Sequence, residues 1–306
     1  MTNSRTYVLL LILAFAAIYL VWGTTYLAIV VGLEGFPPFM MAAIRFLIAG
    51  VLLVGYSLFK GEKLPGRSAL IKNAIIGLVV LVGGQGLLIW SEQFIASGYA
   101  SVLVATLPIW FVVMDRANWP FYFKNIYILI GVVLGFSGIV ILFRDKLAEP
   151  LPPETIQLQL TASIVVLIGG MCWVVGTLYN RSRPAPGTLY RNLGWQLLFG
   201  FLFSGVLSLL FGESYDSNAA TLKAWSAVVY LSIAGSIVAY IAYTWLLNQK
   251  PSAIVGTYAY INPVVAVFLG WLLADELISS QQVLGMVIIL VSAVLINVNR
   301  TTKLKS

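Results

Sequence analysis

A chain of 306 residues that is 60% hydrophobic and 9% charged, with a mean hydropathy of +0.95, cannot cover a water-facing surface, which excludes a soluble domain. Its 18 Lys and Arg against 11 Asp and Glu leave +7, a balance that suggests a polyanion partner unless the positions of the charges explain it. There is no histidine and Cys172 is the single cysteine, which excludes disulfides, clustered Cys/His metal sites and histidine-based triads.

A bilayer core about 30 Å thick takes roughly 20 apolar residues at 1.5 Å rise each. Ten runs of that size are predicted as helices, at residues 7–31, 37–59, 71–95, 97–115, 125–143, 159–180, 189–211, 224–247, 253–273 and 280–299, joined by short connectors carrying most of the turn residues and charge. The expected fold class is an all-α polytopic membrane protein, with the lipid bilayer as a partner. Span one runs from Tyr7 to Val31 without a small-residue cleavage site. It exceeds the about 7 to 15 residues of a signal-peptide core and is read as a retained helix. It carries Trp22 and Tyr26.

Span two holds Arg45, and a guanidinium that deep costs at least about 3 kcal/mol unless it faces protein, water or a counter-charge. Two readings are open: a cavity-facing group that attracts a substrate carboxylate or tunes a gate, and a structural lock that snorkels or binds a backbone carbonyl. Span three contributes Gln85 near the midplane and Glu92 near its outer end. Glu92 is shallow for a proton-coupling acid and reads first as a structural partner for a helix end or for Arg45. Span four places Thr106 near the midplane beside Pro108. Span nine repeats the arrangement with Tyr258, Asn262 and Pro263; each proline frees a carbonyl one turn earlier, so ladder breaks at matching positions are expected to mark bending points or a binding site.

Between them, Gly131-x-x-x-Gly135 followed by Gly138 in span five is a small-residue packing face. Span six sets Cys172, a small apolar residue in this reading, beside Trp173. Gln85, Thr106, Ser236 and Asn262 either bond a substrate or join helices, the latter for about 0.6 to 2 kcal/mol each. Among the aromatics, Trp119, Tyr122 and Trp225 suit interfacial belts. Trp22, Tyr26, Trp90, Trp110, Trp173, Tyr240, Tyr243, Tyr258 and Tyr260 lie deeper; together they suit an apolar or aromatic solute, and singly each suits packing as well.

Placement explains the basic excess. With the N-terminus inside, fourteen of the 18 basic residues fall in cytoplasmic segments, Arg144, Lys146 and Lys223 fall outside, and Arg45 lies within a span. Glu62 and Asp115 are the two acids on the inner side. Both termini are therefore expected in the cytoplasm, and no nucleic-acid partner is expected.

The halves also repeat. Trp90, Ser97 and Pro108 recur 155 positions later as Trp245, Ser252 and Pro263; Trp22 maps onto Trp173 and Arg45 onto Gln196 at 151, and Gly131 onto Gly285 at 154. Five spans per copy force the second copy to enter the membrane from the other side. Two inverted five-helix repeats, residues 1–145 and 155–300, are expected around a central cavity, followed by a basic cytoplasmic tail at 301–306. Trp22 is expected in the outer half and Trp173 in the inner.

Several segments resemble one family along the whole chain: Trp22-Gly23-Thr24-Thr25-Tyr26-Leu27, Ala42-Ala43-Ile44-Arg45-Phe46, the stretch from Ala96 to Pro108, and Asn262-Pro263-Val264-Val265-Ala266 followed by Asp275-Glu276. They resemble the ten-helix EamA-type members of the drug/metabolite transporter superfamily. The resemblance implies a basket of ten helices around a cavity that opens alternately to each side. It also implies an inner-membrane exporter of small metabolites, including aromatic and other amino acids, and of amphiphilic toxic compounds.

Residues and resemblance together make Trp22, Tyr26, Arg45, Gln85, Thr106, Trp173, Tyr258 and Asn262 the expected substrate-binding set, with Pro108, Pro263 and Glu92 as gating or helix-bending residues. A monomer without metal or cofactor, acting on a small-molecule substrate as a transporter and not an enzyme, is expected. Gly61-Glu62-Lys63 lacks the phosphate-cradling glycines of a P-loop, so ATP is not expected to drive transport. With no histidine and no deep acid, facilitated export is favoured over proton antiport. The alternative is a membrane-embedded enzyme modifying a lipid or prenyl carrier, weakened by scattered acids and short loops; a channel would need rings of like groups.

Overall fold

The computed structural model describes residues 4–145, 155–218, 220–274 and 278–297; Asp275, Glu276 and the 301–306 tail lie outside the described residues. All regular structure among the described residues is helical. Hydrocarbon offers no water to backbone N–H and C=O groups, and a helix satisfies them within its own segment. The spans run Arg5–Leu33, Pro38–Phe59, Arg67–Ser91, Ser97–Met114, Ile126–Leu142, Ile156–Ser182, Leu189–Leu210, Leu222–Leu247, Ser252–Leu269 and Ser280–Asn297. Span five is short, at 17 residues, and the helical segment Arg116–Phe123 before it meets it at 98°. Span three stops at Ser91, short of the expected 95, and turns toward span four.

Leu9, Leu13, Leu20 and Leu27 lie along one stripe of span one and are each more than half exposed, the outward surface of a chain solvated by lipid. The connectors around Lys60, Arg116, Arg183 and Lys250 share one face, called here the basic face.

Helix ends follow local chemistry. Gly61 (φ 80°) and Gly212 (φ 65°) adopt the left-handed conformation just past spans two and seven, where a Cβ would be strained. The turn at Gly212 carries Glu213 onto the start of span two. There its Oε1 accepts from the Phe39 N–H at 3.0 Å and its Oε2 from the Met40 N–H at 2.8 Å, so one carboxylate satisfies two orphan amides at the positive end of the helix. Thr188 and Thr221 cap spans seven and eight by accepting from Arg191 and Ala224 N–H groups.

The inverted repeat is legible in the packing. Span two lies along span seven and span five along span ten, each against its own equivalent. A Cβ on Gly131 would meet Ile296 and Ser292, and one on Gly285 would meet Leu142 and Gly138. The offset of 154 that carries 131 to 285 also carries 138 and 142 to 292 and 296, so the two sets are one contact seen from both sides of a two-fold axis. The expected packing role of the span-five glycines is what the structure shows.

Turns of π-helix occupy Ala17–Val21, Gly77–Gly86 and Leu231–Val238, the last two at equivalent levels of spans three and eight. The ladder breaks do not match as expected. Span four is interrupted between Val104 and Leu107, just before Pro108, whereas span nine breaks at Gly256-Thr257 and its helix Tyr258–Ala274 runs on through Pro263. Side chains set the second break. The Thr257 hydroxyl donates to the Ile254 carbonyl and is hydrogen-bonded to Tyr19 OH at 2.7 Å, anchoring that turn to span one.

Candidate functional site

A cavity of about 80 Å³ opens between the two halves, in the part of the molecule away from the basic face. Span one supplies Trp22, Thr25 and Tyr26, span two Arg45, span three Gln85 and Leu88, span six Trp173, and span nine Tyr258 and Asn262. Seven of the eight expected binding residues therefore line one space.

Aromatic rings form its floor. The Trp22 ring lies 5.6 Å from that of Trp173 at 80°, 5.1 Å from Tyr243 and 4.7 Å from Tyr258, edge-to-face or tilted geometries that aromatic quadrupoles favour. Trp22 and Trp173 are repeat equivalents. Residues exchanged by a two-fold axis touch only beside that axis, so the two rings meet where the halves join. Their indole N–H groups reach span eight: Trp22 donates to the Gly235 carbonyl at 3.1 Å and Trp173 to Tyr243 OH at 3.0 Å. Thr177 is hydrogen-bonded to the same Tyr243 OH at 3.0 Å.

Arg45 is 2% exposed, and its Nε donates to Ser236 Oγ at 2.7 Å. Among the described residues no acidic side chain pairs with it. A Cβ at Gly235 would stand 3.0 Å from Arg45 Nη2, so the missing side chain there makes room for the guanidinium. Gln85 brings an acceptor, since its Oε1 is buried without a partner. Asn262 turns its NH₂ to the Tyr258 carbonyl at 2.8 Å and the Tyr19 carbonyl at 3.2 Å, tying span nine to the π-helical turn of span one.

Glu92 pairs neither with Arg45 nor with a helix end: it is 7% exposed and neither carboxyl oxygen has a hydrogen-bond partner. Its expected structural pairing is corrected, because the turn after Ser91 leaves the side chain pointing into the protein without a donor opposite it. Thr106 is not at the cavity; Val104 and Leu107 occupy that face of span four, and the Thr106 hydroxyl donates to the Leu103 carbonyl at 2.7 Å. Of the other deep aromatics, Trp90 packs on Phe94, Tyr240 donates to Gln196 Oε1 at 2.8 Å, and Tyr260 donates to the Val132 carbonyl at 2.9 Å. The two tyrosines join helices.

Sequence reasoning missed a polar cluster at the basic end. Asp115 Oδ2 accepts from Tyr122 OH at 2.7 Å and from Asn118 Nδ2 at 2.8 Å, and Arg181 Nη1 stands 3.5 Å from it. Arg181 Nη1 also donates to Ser252 Oγ at 2.8 Å. Tyr122 is fully buried here and not part of an interfacial belt, because the 98° bend turns its short helix under spans four and nine. The cluster closes the basic end where spans four, six and nine converge. Asp115 stood out in the sequence as one of two acids on a basic face, which is the signal that was available.

Comparison with known proteins follows from this geometry. Residues 7–144 and 160–298 each match the EamA-like transporter family. YedA of Escherichia coli (strain K12), described as an uncharacterized inner membrane transporter, is 34% identical over 289 residues, covering 94% of this chain and 90% of its own. YoaV of Bacillus subtilis (strain 168), described as an uncharacterized transporter, is 26% identical, covering 90% of this chain and 93% of its own. The protein PecM of Dickeya dadantii (strain 3937) is 27% identical, with 90% and 88% covered. A crystal structure 21% identical in sequence superposes with a TM-score of 0.73 over 94% of this chain and 96% of that one, the same fold. Matched separately on each half and along nearly its whole length, this chain belongs to the EamA-like transporter family.

Proposed function

We propose that this inner-membrane transporter exports small carboxylated metabolites with aromatic or apolar bodies, aromatic and apolar amino acids foremost, by alternating access, with its basic face and both termini in the cytoplasm. One observation carries the substrate class: Arg45, 2% exposed, faces an aromatic-lined cavity with a serine hydroxyl and no described acid as its partner. A buried cation without a counter-charge is strongly unfavourable, and a cargo carboxylate removes that penalty. The guanidinium presents its remaining N–H groups as a fork suited to a carboxylate. Trp22, Tyr26, Trp173 and Tyr258 offer flat surfaces to the rest of the solute, and Gln85 Oε1 an acceptor for an N–H group.

The present space of about 80 Å³ is smaller than the about 150 Å³ that holds benzene, so the halves must part before cargo of that size is seated. Alternating access supplies that movement, and the inverted repeat supplies two equivalent arrangements for it.

The test is uptake of labelled L-phenylalanine and of phenethylamine, its decarboxylated counterpart, into inside-out vesicles, beside a growth-tolerance screen of amino-acid analogues, purines and amphiphilic toxins in an overexpressing strain. Losing one charge-assisted hydrogen bond removes about 1.5 to 3 kcal/mol, or roughly 10- to 150-fold in affinity. Arg45→Gln is therefore expected to lose phenylalanine uptake by at least tenfold at unchanged abundance. Uptake of phenethylamine in preference to phenylalanine by the unaltered protein, or loss of uptake only in step with abundance, refutes the assignment.

A further inference from the structure

A second cavity, of about 170 Å³, lies at the basic end between spans six, seven and eight. Neutral hydrogen-bonding groups line it, among them Thr177, Asn180, Asn192 and Thr244, and among the described residues Arg181 is the one charged side chain on its wall. We propose that this cavity is a loading site for a solute carboxylate, which takes Arg181 from Asp115 and so releases the closure of the basic end. The inference rests on the carboxylated cargo and the cytoplasmic basic face proposed above.

Arg181 is placed to change partners. Its Nη1 to Asp115 Oδ2 distance of 3.5 Å exceeds the about 2.7 to 2.9 Å of a well-formed charge-assisted bond. Its side chain is 22% exposed, and its Nε and Nη2 make no hydrogen bond among the described residues, leaving one edge of the guanidinium for a second carboxylate. Asp115 is buried and loses its counter-charge in the exchange, a cost that the bonds from Tyr122 and Asn118 to its Oδ2 offset in part and that the new carboxylate at Arg181 must outweigh. Loss of the Ser252 contact adds to it. Once Arg181 turns away, the polar link to span nine that remains among the described residues at this level is Tyr122, whose OH accepts from the Ala253 N–H at 3.3 Å, beside the packing of Phe111 on Gly256.

The device is one-sided. The repeat offsets place Gly270 where Asp115 stands and Val30 where Arg181 stands, so the opposite end has no equivalent ion pair. A carboxylate is favoured over a cation because the lining holds no acid, and over a phosphate because a single guanidinium meets it.

Ala253, fully buried at the closure, is the reporter position. With Cys172→Ala removing the native thiol, Ala253→Cys is probed by a membrane-impermeant maleimide in inside-out vesicles. Labelling is expected to be slow, to quicken saturably with phenylacetate and to ignore phenethylamine. Removing the partly exposed ion pair by Arg181→Gln is expected to raise basal labelling by up to about fivefold and abolish the response. Asn180→Phe fills the cavity without touching the closure; it should suppress the response at unchanged basal rate, and it serves if Arg181→Gln fails to fold.

Arg45→Gln separates the two sites. A response that survives it supports the loading site even if the central assignment fails. A response lost with it places the effect at the central cavity and overturns the inference. Equal quickening by phenethylamine or inorganic phosphate, fast labelling without any solute, or an undiminished response in Asn180→Phe also overturns it.

Discussion

Replacing Gly285 by alanine should cost more than replacing its repeat equivalent, Gly131, although the two occupy the same place in their copies. A Cβ at Gly285 would lie 2.8 Å from both Cα and N of Leu142 and 2.9 Å from the Gly138 carbonyl oxygen, backbone atoms that cannot rotate aside. Ordinary contact lies near 3.5 to 4.0 Å, so spans five and ten must separate locally by roughly 0.5 to 1 Å, and such a gap forfeits about a quarter to a half of each dispersion contact. Overpacking of this kind costs about 1 to 3 kcal/mol, against a gain of about 1 kcal/mol from the better helix propensity of alanine. At Gly131 the nearest obstacle is Ile296 Cγ1 at 2.5 Å, a side-chain atom that can shift, with Ser292 O at 3.2 Å. There propensity and crowding nearly cancel.

The assay is thermal unfolding of the purified protein in detergent, read by size-exclusion fluorescence. A net cost of up to about 2 kcal/mol corresponds to a fall of up to about 8 °C for Gly285→Ala, and Gly131→Ala should stay within about 2 °C of the unaltered protein. Equal falls, or a larger fall for Gly131→Ala, would refute the claim that fixed backbone contact decides the difference.

Three further outcomes are expected. Gly235→Ala pushes a Cβ to 3.0 Å from Arg45 Nη2 and 3.3 Å from Thr25 Cγ2, and should raise the half-saturating concentration of L-phenylalanine about threefold to tenfold at unchanged abundance; an unchanged value would mean the guanidinium has other room. Glu213→Ala strips two amides of the span-two N-terminus of their acceptor and should cost about 1 to 2 kcal/mol, seen as a lower melting temperature in the same detergent assay. Glu92→Gln preserves shape while removing the ionisable group; in liposomes with an imposed pH gradient, facilitated export predicts the same rate for the variant as for the unaltered protein and no dependence on the gradient. Uptake that tracks the gradient and disappears in the variant would instead make the orphan carboxyl of Glu92 the coupling site.

The ten spans were legible to within a few residues because burial in lipid leaves a long apolar signal that no tertiary contact alters. The repeat was legible from a handful of tryptophans, prolines and glycines because a two-fold axis preserves offsets. Arg45 stood out for the same reason that it matters: a charge so deep must face something. What the sequence did not reveal depended on which helical face a residue takes and on bends. Thr106 and Val104 are two positions apart, yet only one faces the cavity. Tyr122 sits in a short aromatic run that reads as an interfacial belt until the 98° turn before span five buries it against Asp115. Pro263 promised a break that the Thr257 hydroxyl placed a turn and a half earlier.

The pair of tryptophans on the axis bears on which way the transporter rests. Exchange between outward and inward forms by an inverted repeat would hand each residue the surroundings of its equivalent. Trp173 and Thr177 now share the hydroxyl of Tyr243. Their equivalents are Trp22 and Tyr26, and the residue standing for Tyr243 is Leu88, which can accept nothing. A mirrored form would lack two hydrogen bonds worth about 1 kcal/mol each, a bias of roughly thirtyfold toward the form with its basic end shut. On the proposed export from the basic face, a leucine in place of one tyrosine would make an empty carrier wait facing away from its cargo, and leave the cargo to supply the free energy that turns it.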